Sequence, residues 1–224
     1  MKNAIILCSG GLDSVVTAYL AKKKFKYDKI KILFFDYGQK SLKLERKCSK
    51  NCARELNAEL IEIKLNIKKC IAGNLINNGP GKRWRQKNLK DTSVESEKWY
   101  LPHRNLIFLS YALAFAESKN IKDIFVGFKN EGKEPYPDAT KIFLDKLNSL
   151  ETEFKKGILI SAPLIKKDKE DIILIGKELG VNLGGTCSCY APQNEKHCGS
   201  CLACRLRKAG FYWADMKDPT VYQM

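Results

Sequence analysis

AIILCSGGLDSV, residues 4–15, runs from a short apolar stretch through a Ser-Gly-Gly turn into an amphipathic segment. AIILC (4–8) is short, apolar and stopped by glycine, the pattern of a buried strand. LDSVVTAYLAKKKF (12–25) has helical spacing, with Val16, Tyr19 and Leu20 on one side and lysines at its end, where they suit the helix dipole. A strand, a glycine turn and a helix in that order make an anion site. Glycine lets the backbone approach a ligand closely, and the helix start presents free N–H groups and the positive end of a dipole. Two familiar phosphate loops are excluded: no Gly-Lys-Ser/Thr follows, and the third glycine of the dinucleotide-binding spacing is missing.

Working outward, KIKILFFDYGQ (29–39) reads as a second strand ending in polar residues. KLERKCSKNCARELN (43–57) reads as a helix with a Leu44, Cys48, Cys52, Leu56 stripe, and AELIEIKL (58–65) as a third strand. Strand, helix, strand, helix, strand with short joints predicts a parallel α/β sheet with right-handed crossovers and polar residues gathered at the carboxyl ends of its strands. Regularity lapses over 66–100, a basic stretch with Trp84 among its lysines and arginines. Its readings are a solvated loop, or a binding loop that stacks an aromatic on a base. Beyond it, 105–120 predicts a well-buried helix and 123–128 a fourth strand leading to Asn130 and Glu131. An amphipathic helix over 138–154 is opened by Asp138 as N-cap, a fifth strand covers 157–164, and a helix over 169–180 is stopped by Gly180. The expected fold is α/β, a Rossmann-like parallel sheet of about five strands. No internal repeat or low-complexity tract interrupts it.

At 224 residues and 44% hydrophobic, the chain supports one sizeable core and a small appendage. No uninterrupted apolar run is long enough to span a membrane, and the start passes straight into Gly and Asp instead of a cleavage site, so a soluble, cytoplasmic protein without a membrane partner is expected. The formal charge of +15 is shared between solvated lysine-rich faces and attraction of an anionic substrate.

Of nine cysteines, Cys187, Cys189, Cys198, Cys201 and Cys204 crowd near the C-terminus. An odd total argues for reduced thiols, some of them metal ligands. Cys189, Cys198, Cys201 and Cys204 supply four thiolates at spacings that close a tetrahedral site, with Gly199 easing the turn. Such a closed site is structural, for zinc or alternatively an iron–sulfur cluster. Cys187 and His197 are spare ligands able to exchange with these four. The organisation expected is a main domain over 1–185 and a zinc-binding helical and loop subdomain over 186–224.

Ser9-Gly10-Gly11-Leu12-Asp13-Ser14 resembles the pyrophosphate loop (PP-loop) of the ATP pyrophosphatases, whose fold is adenine nucleotide alpha hydrolase-like and which cleave ATP between its α and β phosphates. That resemblance implies that the Ser and Gly amides hold pyrophosphate and that Asp13 helps to hold Mg²⁺. With FDYGQ after the second strand, P-x-R-N before the buried helix, YPD, and the terminal SCY…CG-x-C-x-x-C-R-x-R-x-x-G-F, residues 4–211 are similar to the 7-cyano-7-deazaguanine synthase (QueC) family. The resemblance implies an AMP-forming carbon–nitrogen ligase and homodimer that takes a 7-deazaguanine acid, ATP and ammonia, with ATP, Mg²⁺ and structural Zn²⁺ as cofactors and no direct nucleic-acid partner. Asp13, Ser14 and Arg104 would be catalytic. Leu7, Cys8, Ser9, Gly10, Gly11, Leu12, Asp36, Tyr37, Gly38, Gln39 and Asn105 would surround the nucleotide. His103, Arg104, Asn130, Glu131, Tyr136 and Asp138 would face the substrate.

Three positions depart from the family pattern: His103 stands where Gly is usual, Cys187 where Trp is usual, and Ala139 where Cys is usual. They fall on the substrate side. The alternatives they leave open are a relative that stops at the amide, one that couples the activated acid to a protein amine in antiphage defence, and a tRNA-modifying ATP pyrophosphatase using the basic loop.

Overall fold

The computed structural model describes residues 2–67, 75–76, 99–129 and 136–223. Five strands, β1 (Asn3–Leu7), β2 (Lys29–Asp36), β3 (Glu59–Lys64), β4 (Asp123–Val126) and β5 (Leu159–Ser161), pair in parallel in the order β3-β2-β1-β4-β5. The helices are α1 (Leu12–Tyr19), α2 (Leu42–Glu55), α3 (Arg104–Ser118), α4 (Lys141–Glu153), α5 (Lys169–Glu178) and α6 (Leu202–Trp213). Among the described residues no helix is long and apolar enough to cross a membrane.

Alternation along the strands sorts the core into two layers. Ala4, Ile6, Ile30 and Ile32 face α1 and α5, packing with Val15, Val16, Ile172 and Ile173. Ile5, Leu33, Phe35 and Ile124 face α3 and α4, packing with Leu109, Ala112, Leu144 and Leu147. Both faces of the sheet are therefore covered, as an all-parallel sheet requires. The chain leaves β1 toward β2 on one side and returns to β4 on the other, so the strand order reverses between β1 and β4. In open parallel sheets, ligands bind beyond the strand ends at such a reversal.

Several expected boundaries shift for physical reasons. The helix predicted over 12–25 is regular only to Tyr19 and continues as a wider π turn, Leu20–Lys24, in which Phe25 N–H donates to Leu20 O at 2.9 Å. That turn delivers Phe25 and Tyr27 onto Phe125. The strand predicted over 29–39 stops at Asp36, because the Gln39 side chain folds back to accept from Tyr37 N–H (3.1 Å) and donate to Phe35 O (3.0 Å) around Gly38. The strand predicted over 157–164 shortens to three residues at the sheet edge, where the Asn148 amide bonds both N–H and C=O of Ile160 at 2.9 Å and stands in for a neighbouring strand. The helix expected to be well buried, α3, is buried only along Leu109, Ala112 and Ala116, and Tyr111 is exposed.

Asp138 is not the N-cap of the helix that follows it. Thr140 is, its hydroxyl accepting from Phe143 N–H at 3.0 Å, while Asp138 sits in a short 3-10 turn, Pro137–Ala139. The C-terminal segment shares the main cores: α6 packs on α5, Phe211 joins one layer, and Leu202 with Cys189, Cys201 and Cys204 joins the other.

Candidate active site and metal centre

The loop after β1 is shaped by two close approaches. Gly10 has φ +75°, and a Cβ there would lie 2.6 Å from Cys48 Cβ and from Glu45 O and 2.7 Å from Ser49 N, so only glycine lets the loop lie on α2. Gly127, just beyond β4, passes 2.8 Å (measured from an ideal Cβ) from the Ser14 backbone at the start of α1. Within the loop Ser9 Oγ accepts from Gly11 N–H at 3.3 Å, and Ser14 Oγ donates to Gly11 O at 3.0 Å. The first-turn amides of α1 have no acceptor within the helix and open toward the strand ends. There lies a cavity of about 280 Å³.

Leu7, Cys8, Ser9, Gly11, Leu12, Asp13 and Ser14 line this cavity, as do Tyr37, Arg104, Asn105 and Tyr136. Gly10, Asp36, Gly38 and Gln39 are outside this lining. Gly10 supports the loop from below. Asp36 accepts from Gly38 N–H (3.0 Å) and pairs with Arg46 (3.0 Å), and Gln39 donates to Glu45 at 2.8 Å.

Asp138 is buried, and its carboxylate accepts from Asn105 N–H at 2.9 Å, with Asn105 Nδ2 3.2 Å from its backbone O. The carboxylate thus caps α3 and holds Asn105. His103 is exposed and outside the cavity lining. Its φ of +54° at the α3 N-cap is the left-handed backbone for which glycine is the usual residue. Asn130 and Glu131, and Trp84 with the basic stretch 82–98, lie outside the described residues.

Two charged groupings line the cavity. In one, Lys169 Nζ bonds both oxygens of Asp13, at 2.7 and 2.8 Å. In the other, Arg104 lies against Tyr37, Asn105 Oδ1 (3.2 Å) and Tyr190. Burial works against the guanidinium, yet Tyr37, Tyr190 and Asp138 hold its pKa above the ordinary arginine value. Burial pushes the Tyr37 hydroxyl up to about 12 against the opposing pull of Arg104, so it is a neutral hydrogen-bonding group at pH 7. Burial also raises Glu45, although Gln39 and Ser41 hydrogen-bond its carboxylate. Phe35 and Phe108 stack in parallel at 4.3 Å on the cavity's apolar side.

Sequence reasoning missed Lys169, Glu45, Lys129 and Tyr190, all in the cavity lining. For Lys169 a signal was present: it opens the helix after the fifth strand, and the carboxyl ends of parallel strands are where ligands gather.

The four predicted cysteines come together. Their sulfurs all lie within 4.8 Å of one another, and Cys198 and Cys204 are 3.9 Å apart. Zinc–thiolate bonds of about 2.3 Å in a tetrahedron put sulfurs about 3.8 Å apart, so a single ion fits this set. Cys198 N–H donates to Cys189 Sγ (3.2 Å) and Cys201 N–H to Cys198 Sγ (3.3 Å), bonds that favour thiolates. Neither spare ligand joins them. The Cys187 thiol packs with Leu44 and Cys48, and His197 Nε2 accepts from Ser188 N–H at 3.1 Å.

The cysteine segment is tied to the loop after β1 by Cys187 N–H donating to Gly10 O at 2.8 Å. Arg207, fully buried, fixes that segment by donating to Leu183 O (2.6 Å), Thr186 Oγ1 (2.7 Å), Ser188 Oγ (3.1 Å) and Asp218 (3.3 Å).

The family model for the queuosine biosynthesis protein QueC matches residues 3–215. The chain belongs to the QueC family. It is 38% identical over 232 residues to the 7-cyano-7-deazaguanine synthase of a Nitratiruptor species, with 98% of each chain covered. To the 7-cyano-7-deazaguanine synthase of Clostridium kluyveri it is 36% identical over 241 residues, covering 100% of this chain and 99% of the relative. A solved 4-thiouridine synthetase–RNA complex with bound ATP superposes with a TM-score of 0.50 at 17% identity, over 94% of this chain and 53% of that one, a likeness of fold. The family match spans both the Ser9–Ser14 loop and the Cys189–Cys204 cluster.

Proposed function

We propose that this QueC protein is a 7-cyano-7-deazaguanine synthase that converts 7-carboxy-7-deazaguanine, ammonia and ATP into the nitrile. The observation that carries this is the end-to-end match to synthases of that name, 38% identical across 98% of both chains. In support, a loop of the ATP pyrophosphatase type lines the cavity.

The chemistry is removal of oxygen from a carboxyl group, made possible by turning that oxygen into a phosphate leaving group. The substrate carboxylate attacks the α phosphorus of ATP, a P–O bond forms, and the bond to the β phosphate breaks with its electron pair leaving on pyrophosphate. Ammonia then displaces AMP to give the amide. The amide oxygen attacks a second ATP in the same way, and loss of AMP and both N–H protons leaves the C≡N triple bond. Two ATP are consumed, and two AMP and two pyrophosphates are released per nitrile.

The protein's contribution is positioning and charge. The first-turn amides of α1 with Ser9 and Ser14 receive the β and γ phosphates. Arg104, held by Asn105 and Tyr37 in the cavity lining, receives the carboxylate or α phosphate. Asp13 is the carboxylate for Mg²⁺, which supplies charge neutralisation on the phosphates when bound. Cys189, Cys198, Cys201 and Cys204 would hold zinc in a closed site whose contribution is structural.

The test is AMP release from ATP on addition of 7-carboxy-7-deazaguanine. AMP formation that depends on the acid, is abolished by Asp13→Ala and leaves metal content unchanged supports the reading. AMP formation that ignores the acid, or persists in the variant, overturns it.

A further inference from the structure

We infer that Lys169 is an active-site cation for the pyrophosphate leaving group, and that Gly210 of the cysteine-anchored helix α6 sets its reach; this rests on the synthase reading above. The ammonium is placed from three directions. Its backbone opens α5, next to the Asp168 cap, beyond the end of β5. Its head bonds both oxygens of Asp13 at 2.7 and 2.8 Å, and its side chain is only 14% exposed. Its stem crosses α6 at Gly210, where a Cβ would lie 2.4 Å from Lys169 Cγ and 2.9 Å from Lys169 Cβ.

The absence of a side chain at 210 is therefore the space that the lysine stem occupies. Gly210 itself is buried in an ordinary helical backbone, so conformational freedom is not what requires glycine there. Helix α6 begins between Cys201 and Cys204, and buried Arg207 locks it to Leu183, Thr186 and Ser188. The metal centre thus has a mechanical route to the phosphate loop, through α6 and the Lys169 stem to Asp13.

Asp13 holds the Lys169 ammonium at the start of α1. A phosphate chain on the α1 amides offers the same ammonium a more highly charged partner within the cavity that Lys169 lines. As the bond between the α and β phosphates breaks, negative charge grows on the departing pyrophosphate oxygens. A fixed ammonium stabilises that charge, and the lysine keeps its proton throughout.

Lys169→Met keeps the stem and deletes the charge, and Lys169→Arg restores the charge. Affinity for magnesium pyrophosphate, measured by calorimetry on the zinc-loaded protein, is expected to fall roughly tenfold or more in Lys169→Met. It returns to within a few-fold of wild type in Lys169→Arg, while melting temperature and metal content hold. The adenylation rate is expected to fall about a hundredfold with KM for the acid unchanged. Gly210→Ala should weaken pyrophosphate binding in the wild-type background and add nothing in the Lys169→Met background.

Wild-type pyrophosphate affinity in Lys169→Met overturns the inference. Additive effects of the two substitutions overturn the role of Gly210. If the pyrophosphate pattern holds but 7-carboxy-7-deazaguanine yields no AMP, the synthase reading fails and the Lys169 assignment stands.

Discussion

Gly10→Ala is the substitution whose cost the structure defines most closely. An L-residue at φ +75° carries a conformational penalty of about 1–2 kcal/mol. The new methyl would also lie 2.6 Å from Glu45 O and 2.7 Å from Ser49 N, which are backbone atoms of α2 that no rotamer change can move aside. Overpacking of that kind costs about 1–3 kcal/mol. The expected destabilisation is the sum, roughly 2–5 kcal/mol, a large share of the ~5–15 kcal/mol that holds a domain together.

Gly11→Ala is the internal control. Its φ is −69° and its added Cβ would meet Ser9 Oγ at 3.2 Å and Cys187 O at 3.3 Å, tight contacts without conformational strain. It should cost under about 1 kcal/mol of stability while crowding the phosphate floor. Denaturant unfolding of both variants in zinc-containing buffer, with magnesium pyrophosphate affinity alongside, separates the two effects. Equal stability loss in the two, or a change below about 0.5 kcal/mol in Gly10→Ala, would refute the packing of the loop on α2.

Arg207→Met removes the buried donor shared by Leu183 O, Thr186 Oγ1, Ser188 Oγ and Asp218, and it should cost about 1–3 kcal/mol by denaturant unfolding with zinc supplied. Cys204→Ser should lose bound zinc while Cys187→Ser retains one ion per chain, read by elemental analysis of purified protein; zinc loss in the latter would show that the ligand set is misassigned. Burial raises the folded-state pKa of Glu45 above 4.5, so its contribution to stability is fully present below 4.5 and is lost as pH rises through the raised value. Glu45→Gln should remove that loss, and stability profiles of the two proteins that stay parallel above pH 4.5 would contradict the burial of this carboxyl.

The sheet was legible because its signals are local. Strand alternation, the glycine turn and the Cys189–Cys204 spacing each depend on neighbours in sequence. What escaped depends on contacts between distant segments. Asp138 was expected to cap the helix that follows it, yet its carboxylate accepts from Asn105 at the start of α3, 33 positions earlier, because Thr140 caps α4. Lys169 is 156 residues from Asp13, and nothing in KEDI announces that a carboxylate waits at the start of α1, the neighbouring helix on the same face of the sheet. His103 was expected to face the substrate in place of a glycine. The positive φ instead explains the glycine preference through the backbone and leaves the imidazole in solvent. The aromatic wall lost with Cys187 has a counterpart in Tyr190, which lines the cavity and packs on Trp99 at 4.9 Å.

The most direct test of the central claim is mass spectrometry of the product formed from 7-carboxy-7-deazaguanine, ATP and ¹⁵N-ammonium. The account predicts 7-cyano-7-deazaguanine carrying one ¹⁵N, with AMP and pyrophosphate released at two per nitrile. Accumulated amide, or unchanged acid, would contradict it.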